Sequence, residues 1–371
     1  RHNLSPGIWL DSDIKDVVVE QSRSENNLST GIFIEKTPGP CIVSNSVFYG
    51  NYKGIKGADS ETVLIQNNLS WCNGGGQISF DKNFDPGYPF TDFETGIAST
   101  SVFRHWDVHS NMLVSCGPRQ MLYQQSGFDW TRYLWDTNMV TLAARSNHWW
   151  NGWNSTVFDV YNVARTNWTA WTNTVGRGGV RLGFGDRWGD PGLVTTAAAG
   201  KVTWRYYHHV VGATIDDVES APGFPNNYAG LVQAGRAESV RGFDDDCAVR
   251  LSALLAPPVT GWYRFWIAGA DVARLRLGMG TNPANAGVIA EMNAPSGFYK
   301  WDVSASQMST AMWLQAGAQY YIEALGLAQS DGDNNDHVAV AWQRPWADGS
   351  AGLAREVIPG AYLEDLAPGA P

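Results

Sequence analysis

The chain has 371 residues, 44% of them hydrophobic and 17% charged, so it can bury more than one core and two domains are expected. Its 26 basic residues against 36 acidic ones give a net charge of −10, which argues against nucleic acid and anionic membrane surfaces as partners. No stretch approaches the roughly eighteen uninterrupted apolar residues of a membrane-spanning helix, so membrane insertion is not expected.

A short phrase recurs in the first part of the chain at a nearly constant spacing. It reads GIWLD in residues 7–11, GIFIE in residues 31–35, GIKGA in residues 54–58 and, more loosely, QISFD in residues 77–81. The shared isoleucines are Ile8, Ile32, Ile55 and Ile78, with steps of 24, 23 and 23 residues. A period of about 23 indicates a solenoid, because one such unit cannot bury its own apolar side and must stack on its neighbours.

A second phrase runs in step with the first. It reads VVVEQS in residues 17–22, CIVSNS in residues 41–46 and VLIQNN in residues 63–68. Alternate residues in each are apolar, which is the period of a strand with one buried face. Each turn therefore contains at least two short strands, and the pattern is typical of a right-handed parallel β-helix. Asn45 and Asn67 recur at one corner, where stacked amides are expected to hydrogen-bond along the coil axis.

The same alternation predicts which side chains point outward. Ile8 and Leu10 are predicted to face the core. The outward residues are then Trp9, Asp11, Phe33, Glu35, Lys56, Ala58, Ser79 and Asp81, all facing solvent. Asp11 and Glu35 become direct neighbours in adjacent coils, which stack about 4.8 Å apart. Two carboxyl groups roughly 5 Å apart are the separation expected of a retaining glycosidase.

The phrase GIWLD, followed one coil later by IFIE and then by PGP in residues 38–40, resembles the parallel β-helix β-xylosidases and related β-helix glycoside hydrolases. The resemblance covers about the first eighty residues. It implies that Asp11 is the nucleophile and that Glu35 is the acid/base. Like charges side by side cost stability, and a pair in which one carboxyl keeps its proton suits a general acid. Family members commonly have an aromatic residue after the nucleophile, where this chain has Ser12, so the resemblance leaves the sugar open.

The outward row also supplies candidate substrate-binding residues. They are Trp9, Phe33, Lys56, Asp81 and Gln124. Trp9 and Phe33 form an aromatic shelf suited to the apolar face of a sugar ring, and Gln124 is expected to continue the row after Asp81. Residues 82–96 then form a loop rich in proline, glycine and aromatic residues. Its aromatic residues are expected either to wall a subsite or to pack over the flank of the coil.

Two of the four cysteines are predicted to pair. Alignment of residues 63–72 with residues 107–116 puts Cys72 and Cys116 at the same corner, 44 residues apart, which equals one coil plus a loop insertion. Stacked on successive coils, they are expected to form a disulfide. Cys41 instead takes an inward strand position, where a small buried hydrophobe is expected.

The period blurs beyond residue 130. Tryptophans in residues 145–171 are expected to cap the open end of the core, because an end coil has unpaired edges. Small, unpatterned residues follow and indicate a linker. The predicted organisation is a β-helix over residues 1–194, a linker over residues 195–202 and a second domain over residues 203–371. Since Arg1 falls just before a core strand, earlier coils are expected outside this sequence.

The second domain alternates short strands with turn signals. Strands are predicted at residues 249–255, 257–269, 273–278, 319–326 and 337–345. This pattern favours an antiparallel β-sandwich or jelly roll. The order TGWYRFWIA, RLRLG, YYIEAL, DHVAVAW and REVIPGAYL resembles the protective-antigen-type domain found on many glycosidases and adhesins. The resemblance implies an accessory role in glycan binding or in packing between domains.

Family members that bind sugar through calcium have two adjacent aspartates after the FWIA-like strand. This chain reads Gly269, Ala270 and Asp271 there, so one aspartate is missing. The remaining candidate cation ligands are Asp271, Asp331, Asp333 and Asp336. Because acidic hairpin loops are usually only solvated, no metal or other cofactor is predicted.

Three functions compete. The leading hypothesis is a secreted, extracellular retaining glycoside hydrolase acting on plant or algal polysaccharide or its oligosaccharides. Eighteen tryptophans and fourteen tyrosines with few lysines are a composition typical of extracellular carbohydrate-active proteins. A β-helix polysaccharide lyase would use Lys56 as its base, but no arginine stands in the same row. The third hypothesis is a non-enzymatic fibre or adhesin subunit that self-associates end to end through the exposed N-terminal coil.

Overall fold

The computed structural model describes residues 3–81, 87–126, 142–153, 158–160, 163–165, 167–174, 182–191, 202–244, 246–329, 336–346 and 352–366. The chain forms two units, Arg1–Leu193 and Val194–Pro371. Regular structure in both is almost entirely β, with parallel sheets in the first and antiparallel sheets in the second. The all-β fold class predicted from the sequence is confirmed.

The first unit consists of short strands joined by tight corners, with one short helix near its end. The strands are β1 (Ile8–Asp11), β2 (Val17–Glu20), β3 (Arg23–Glu25), β4 (Thr30–Glu35), β5 (Cys41–Ser44), β6 (Val47–Tyr49), β7 (Lys53–Ala58), β8 (Glu61–Gln66), β9 (Leu69–Trp71), β10 (Gly76–Asp81), β11 (Tyr88–Thr91), β12 (Ala98–Ser101), β13 (Arg104–His109), β14 (Met112–Ser115), β15 (Tyr123–Ser126), β16 (Leu142–Arg145), β17 (His148–Asn151), β18 (Phe158–Val160), β19 (Val163–Arg165) and β20 (Arg187–Trp188). The helix is α1 (Trp168–Thr172).

Strands from successive coils form three sheets along the axis. Their orders are β1-β4-β7-β10-β15-β18-β19, β16-β13-β8-β5-β2 and β20-β17-β14-β9-β6-β3. All pairings are parallel except that of β18 with β19. The predicted register is confirmed, since Ile8, Ile32, Ile55 and Ile78 form one column and Val17, Cys41 and Val63 form another. These columns belong to the buried core of the coil.

A buried hydrogen-bonded column crosses the coils at one corner. Backbone N–H groups of Ser46, Asn68 and Asn111 each donate to the side-chain amide oxygen of the next coil's asparagine, at 3.0 Å in every case. The column ends where Asn147 donates its N–H to Asp186 Oδ1 at 2.7 Å. Each amide group also donates to a backbone carbonyl, as Asn111 Nδ2 does to Ile65 at 2.9 Å. Corner backbone groups that would otherwise be buried without partners are thereby satisfied.

The sequence pattern predicted this column at Asn45 and Asn67, but the residues that form it are one position later in the chain. Asn45 and Asn67 are exposed and have φ near +50°, and the equivalent Ser110 and Ser146 share that conformation. A left-handed residue bends the chain from one sheet into the next at the corner, so its side chain points outward and the next residue points inward. Asparagine tolerates this backbone better than most residues, which explains its recurrence there.

A second buried column links the coils at another corner. Asn27 N–H donates to Asn51 Oδ1 at 3.0 Å, Asn51 N–H to Asn73 Oδ1 at 2.9 Å, and Asn73 N–H to Gln77 Oε1 at 3.2 Å. All four side chains are fully buried. Coil stacking therefore depends on polar columns as well as on apolar ones.

Aromatic residues close the described end of the first unit, as the sequence predicts. Trp149, Phe158 and Trp171 are fully buried and their rings are in contact, with Phe158 and Trp171 stacked at 4.5 Å. Both indole N–H groups donate to Asp186 Oδ2, at 2.6 Å from Trp149 and 3.1 Å from Trp171. Burial raises the pKa of Asp186 to about 6, although these hydrogen bonds oppose the shift.

Cys72 and Cys116 lie on successive coils with Cα atoms 4.9 Å apart and are placed as a disulfide. The alignment that suggested the pair was off by one residue. Val63 pairs with Trp106 and Leu69 with Met112, a shift of 43, so Cys72 stands opposite Ser115. Cys41 is buried and free, in the inward position expected of it.

The second unit is antiparallel, as predicted for the C-terminal part. Its strands are β21 (Val202–His208), β22 (Gly230–Ala234), β23 (Cys247–Leu255), β24 (Gly261–Gly269), β25 (Val272–Gly278), β26 (Ala286–Met292), β27 (Met312–Leu314), β28 (Tyr320–Ala328), β29 (Val338–Gln343), β30 (Glu356–Val357) and β31 (Leu363–Asp365). Its helices are α2 (Ile215–Glu219) and the 3-10 turns Pro283–Asn285, Ala305–Gln307 and Gly360–Tyr362.

These strands form two sheets. One has the order β22-β21-β23-β28-β25-β26, with β31 also paired to β23, and the other has the order β27-β24-β29-β30. Fully buried side chains come from both, among them Leu251 on β23 and Phe265 and Ile267 on β24. Across all described residues, no helix has the length and apolar character that crossing a membrane requires.

Replacement of Asn111 by Ala tests the polar column. The change removes an acceptor for Asn68 and two donors, so it leaves several buried backbone groups unpaired. The free energy of unfolding should fall by about 3 to 5 kcal/mol in urea titration. Asn67→Gly is the matched control, because Asn67 is exposed and glycine accepts its positive φ; it should change stability by no more than about 0.5 kcal/mol. Equal losses in both variants would contradict a structural role for the column.

The buried Asp186 predicts a pH dependence of stability. Between its ordinary pKa of 3.8 and its folded value of about 6, the folded chain keeps a proton that the unfolded chain has released. Stability should therefore fall as pH rises through this window. The penalty is fully present above the upper value and is on the order of 3 kcal/mol. The free energy of unfolding of the wild type minus that of Asp186→Asn should decrease by about 2 kcal/mol from pH 4 to pH 6, because the carboxyl of the unfolded chain and that of the folded chain are each only half titrated near the ends of this window. A difference that does not vary with pH would refute the assignment.

The disulfide is tested by mass spectrometry of a non-reduced digest, which should give Cys72 and Cys116 in one linked peptide. Replacement of both by Ser should lower the free energy of unfolding by roughly 3 to 4 kcal/mol, because the bond closes a long loop in the unfolded chain. Cys41→Val is the control, since it exchanges one small buried apolar group for another and should cost less than about 1.5 kcal/mol. Free thiols at both positions would reject the pairing.

Candidate active site

Two columns of side chains run along the outer face of the first sheet. Cross-strand pairing puts Trp9, Phe33, Lys56, Ser79 and Gln124 in one column. The other contains Asp11, Glu35, Ala58 and Asp81. Gln124 therefore continues the column of Ser79, whereas the neighbour of Asp81 is Ser126. All five predicted substrate-binding residues and both predicted catalytic residues lie on this one face.

Much of this face is covered, contrary to the expectation that it faces solvent. Trp9 is half exposed, at 50%, but Glu35 is 8% exposed and Ala58 and Ser79 are fully buried. Part of the cover is the β11–β12 hairpin, whose Ser101 donates its hydroxyl to the backbone of Thr37 and Asp59. Alternation along a strand decides the face to which a side chain points, but not what later segments lay over that face.

Asp11 and Glu35 are paired directly across β1 and β4. Lys36 lies between them, with Nζ 3.7 Å from Asp11 Oδ1 and 3.7 Å from Glu35 Oε1. Asp11 Oδ1 and Glu35 Oε1 therefore lie within twice 3.7 Å of each other. Lys36 follows Glu35 at φ +53°, and this left-handed turn lets its side chain return to the pair. Its positive charge offsets the repulsion between two adjacent carboxylates.

Each carboxylate also accepts a hydrogen bond from a neighbour. Trp9 Nε1 donates to Glu35 Oε2 at 3.2 Å, and Ser12 Oγ donates to Asp11 Oδ1 at 3.0 Å. The indole thus holds Glu35 from the adjacent strand, and the hydroxyl holds Asp11 from the adjoining corner. Both contacts fix side-chain orientation, which a two-carboxylate reaction requires.

The predicted aromatic shelf is present next to the carboxylates. The rings of Trp9 and Phe33 are stacked at 6.1 Å with planes 13° apart. Lys56 Nζ lies 4.3 Å from the centroid of Phe33, close enough for a cation–π contact. The exposed indole of Trp9 is therefore the open end of the shelf.

A second charged cluster follows along the same face. Asp81 Oδ2 lies 3.0 Å from Lys56 Nζ and 3.8 Å from Lys53 Nζ. Burial lowers the pKa of Lys53, while Asp81 raises it and Lys56 lowers it by smaller amounts. Two cations thus share one carboxylate at partly buried positions.

The β11–β12 hairpin is held beside the carboxylate pair by lysines. Lys15 Nζ lies 3.0 Å from Asp92 and 2.5 Å from Glu94, and Lys36 Nζ lies 5.3 Å from the ring of Tyr88. Of the two roles expected for the aromatic residues of this loop, the position of Tyr88 favours the wall of a subsite. Residues 82–86 of the loop lie outside the described residues.

Sequence reasoning missed Lys36 and Lys53. Lys36 directly follows Glu35, but it approaches Asp11 and Glu35 only because its own backbone is left-handed, which the sequence pattern does not predict. One feature of the sequence could have indicated them: five of the seven lysines in the chain fall within residues 15–82, the coils that carry the predicted site.

Two of the four candidate cation ligands, Asp271 and Asp336, lie in the described part of the second unit. Asp271 Oδ2 accepts the backbone N–H of Gln329 at 2.7 Å, and Asp336 is nearly buried. Asp331 and Asp333 lie outside the described residues. Among the residues that are described, no three His, Cys, Asp or Glu side chains group as a metal site requires.

Comparison with known proteins supports the fold of the first unit. Residues 1–109 match the family model of the right-handed β-helix region. No curated protein matches the chain. The protective-antigen-type assignment of the second unit and the glycoside hydrolase resemblance stay predictions.

Several solved structures resemble part of the chain. The PA14 sugar-binding domain from an RTX adhesin is 15% identical, with 45% of this chain and 99% of that chain covered and a TM-score of 0.33. The epithelial adhesin 6 A domain from Candida glabrata, in complex with Galb1-3GlcNAc, is 13% identical, with coverage of 47% and 90% and a TM-score of 0.32. The PA14 domain of an antifreeze protein is 14% identical, with coverage of 48% and 96% and a TM-score of 0.33. At such identities and scores, these likenesses carry no inference about what this chain binds.

Proposed function

We propose that this protein is a carbohydrate-active enzyme, a retaining glycoside hydrolase with Asp11 as nucleophile and Glu35 as acid/base. The observation that carries the proposal is the direct cross-strand pairing of two carboxylates around a single lysine, beside stacked aromatic rings. Neighbouring parallel strands are about 4.8 Å apart, which suits the carboxyl separation of about 5 to 5.5 Å in retaining enzymes.

The reaction divides between the two groups according to their contacts. Ser12 donates a hydrogen bond to Asp11 Oδ1. The proposal assigns attack on the anomeric carbon to Oδ2, to which no donor in the described chain is bonded. Glu35 gives its proton to the leaving oxygen and later takes one from the water that releases the sugar. Trp9 holds Glu35 through Oε2, and Lys36 Nζ lies 3.7 Å from Oε1.

Lys36 reduces the repulsion between Asp11 and Glu35 when no substrate is bound. Two adjacent carboxylates without a cation would repel each other in a partly buried setting. A single ammonium at equal distance from both compensates part of their charge without forming a short ion pair with either. The same ammonium stabilises the Asp11 carboxylate that is released when water cleaves the glycosyl-enzyme.

The proposal extends to location and organisation. A Cys72–Cys116 disulfide fits an oxidising, extracellular compartment. The second unit, with its own antiparallel sheets, fits a separate accessory module that binds glycan. Polysaccharide or oligosaccharide is the substrate class.

A polysaccharide lyase is the second candidate, favoured by one observation. Burial lowers the pKa of Lys53, which makes its neutral amine easier to form beside Lys56 and Asp81. A neutral amine could take the α-proton of a uronate. An unsaturated product that absorbs in the ultraviolet would decide for this activity over hydrolysis.

Glu35→Gln tests the assignment of the acid. Hydrolysis of an aryl glycoside with a poor leaving group should fall by about 10² to 10⁴ fold, because its oxygen needs a proton. Hydrolysis of a glycoside with an activated leaving group should be affected far less at the first step. Asp11→Asn should abolish both. Rates from initial-velocity assays on a panel of aryl glycosides give the comparison.

Glu20→Gln is the matched control, since Glu20 is an exposed carboxylate at the end of a strand in another sheet. It should leave both rates unchanged. Equal loss on both substrates in Glu35→Gln, or full activity in Asp11→Asn, would overturn the assigned roles.

A further inference from the structure

Most lysines of this acidic chain lie in the first coils, close to the carboxylate pair. The net charge is −10, yet five of the seven lysines fall within residues 15–82. Four of them, Lys15, Lys36, Lys53 and Lys56, make ion pairs on or beside the face that carries the carboxylate pair. Lys15 and Lys36 each lie near two carboxylates. Lys53 and Lys56 are different because they share only one.

The cluster of Lys53, Lys56 and Asp81 has one positive charge in excess. Asp81 is the only carboxylate within ion-pair distance of either lysine in the described part of the chain. The side chains are only partly exposed, at 13% for Lys53, 21% for Lys56 and 19% for Asp81. Placing two ammonium groups side by side in such a setting costs stability unless a further anion joins them.

The position of the cluster relates it to the proposed reaction. Lys56 is the cross-strand neighbour of Phe33, and Phe33 precedes Glu35 by two residues on β4. Strand geometry therefore puts the Lys56 backbone about 8 Å from that of Glu35, one strand across and two residues along. This is the distance of a neighbouring sugar ring rather than of the bond to be cleaved. The ring of Phe33 lies between the two places and meets Lys56 Nζ at 4.3 Å.

We propose that Lys53 and Lys56 form a subsite for an anionic group on the sugar next to the cleaved one, so that the substrate is an acidic glycan. The inference rests on the proposed function for the direction of the substrate along the sheet. The shared chemistry is an oxyanion, either the carboxylate of a uronic acid or a sulfate ester. Both ammonium groups donate hydrogen bonds to it, and Asp81 offsets part of their mutual repulsion when the subsite is empty.

The test measures binding and needs no turnover. Isothermal titration calorimetry of the full chain would use trigalacturonate for the carboxylate, a sulfated galactose trisaccharide for the sulfate, and xylotriose as the neutral probe. One of the anionic probes should bind about tenfold more tightly than xylotriose at low salt, and this preference should shrink as salt rises. The better of the two anions identifies the source of the charge.

Three variants make the result specific. Lys56→Met should remove the anionic preference, measured as the ratio of anionic-probe affinity to xylotriose affinity in the same variant. Asp81→Asn should strengthen anion binding, because it removes the competing carboxylate, whereas damage to the fold would weaken all three probes. Lys300→Met, at an exposed lysine of the second unit, should behave as the wild type.

The outcomes separate this subsite from the proposed hydrolase. Equal or tighter binding of xylotriose by the wild type, an anionic preference that survives Lys56→Met, or no binding of any probe overturns the subsite. An anionic preference without hydrolysis of any glycoside refutes the hydrolase and leaves the subsite standing. Hydrolysis of neutral glycosides without an anionic preference does the reverse.

Discussion

Stacked polar side chains inside the corners are the interaction on which the first unit depends. A parallel β-helix buries backbone groups wherever the chain turns, and each buried N–H needs an acceptor. In this protein, Asn68, Asn111 and Asn147 provide that acceptor for the preceding coil, and Asp186 closes the column. The second column, from Asn27 to Gln77, does the same at another corner. Coil spacing is therefore set by hydrogen bonds as well as by apolar contact.

The stacking of coils determines the distances between the residues of the proposed active site. Asp11 and Glu35 are neighbours only because their strands are held in register one coil apart. A one-residue slip of either strand would turn its carboxylate toward the core. The aromatic pair of Trp9 and Phe33 is fixed by the same register, so catalytic groups and sugar platform move together.

Charge compensation decides what this face can bind. Lys36 balances the carboxylate pair, and the Lys53–Lys56–Asp81 cluster leaves one positive charge for a ligand. In the two proposals, a molecule with a net charge of −10 has a local basic subsite beside an acidic reaction centre. Such an arrangement discriminates by charge among sugars that the aromatic rings alone would accept equally.

The sequence alone determined the coil, its register and the face on which Asp11, Glu35, Lys56 and Gln124 lie, because a 23-residue period and strict alternation leave little freedom. It also indicated the antiparallel second unit. Only the tertiary structure decided which corner residue turns inward, since Asn67 and Asn68 are both asparagine and the backbone φ separates them. The approach of Lys36 to the carboxylates and the burial of Ser79 are seen only in the structure. Left-handed corners and covering segments do not follow the sequence repeat, so the repeat cannot predict them.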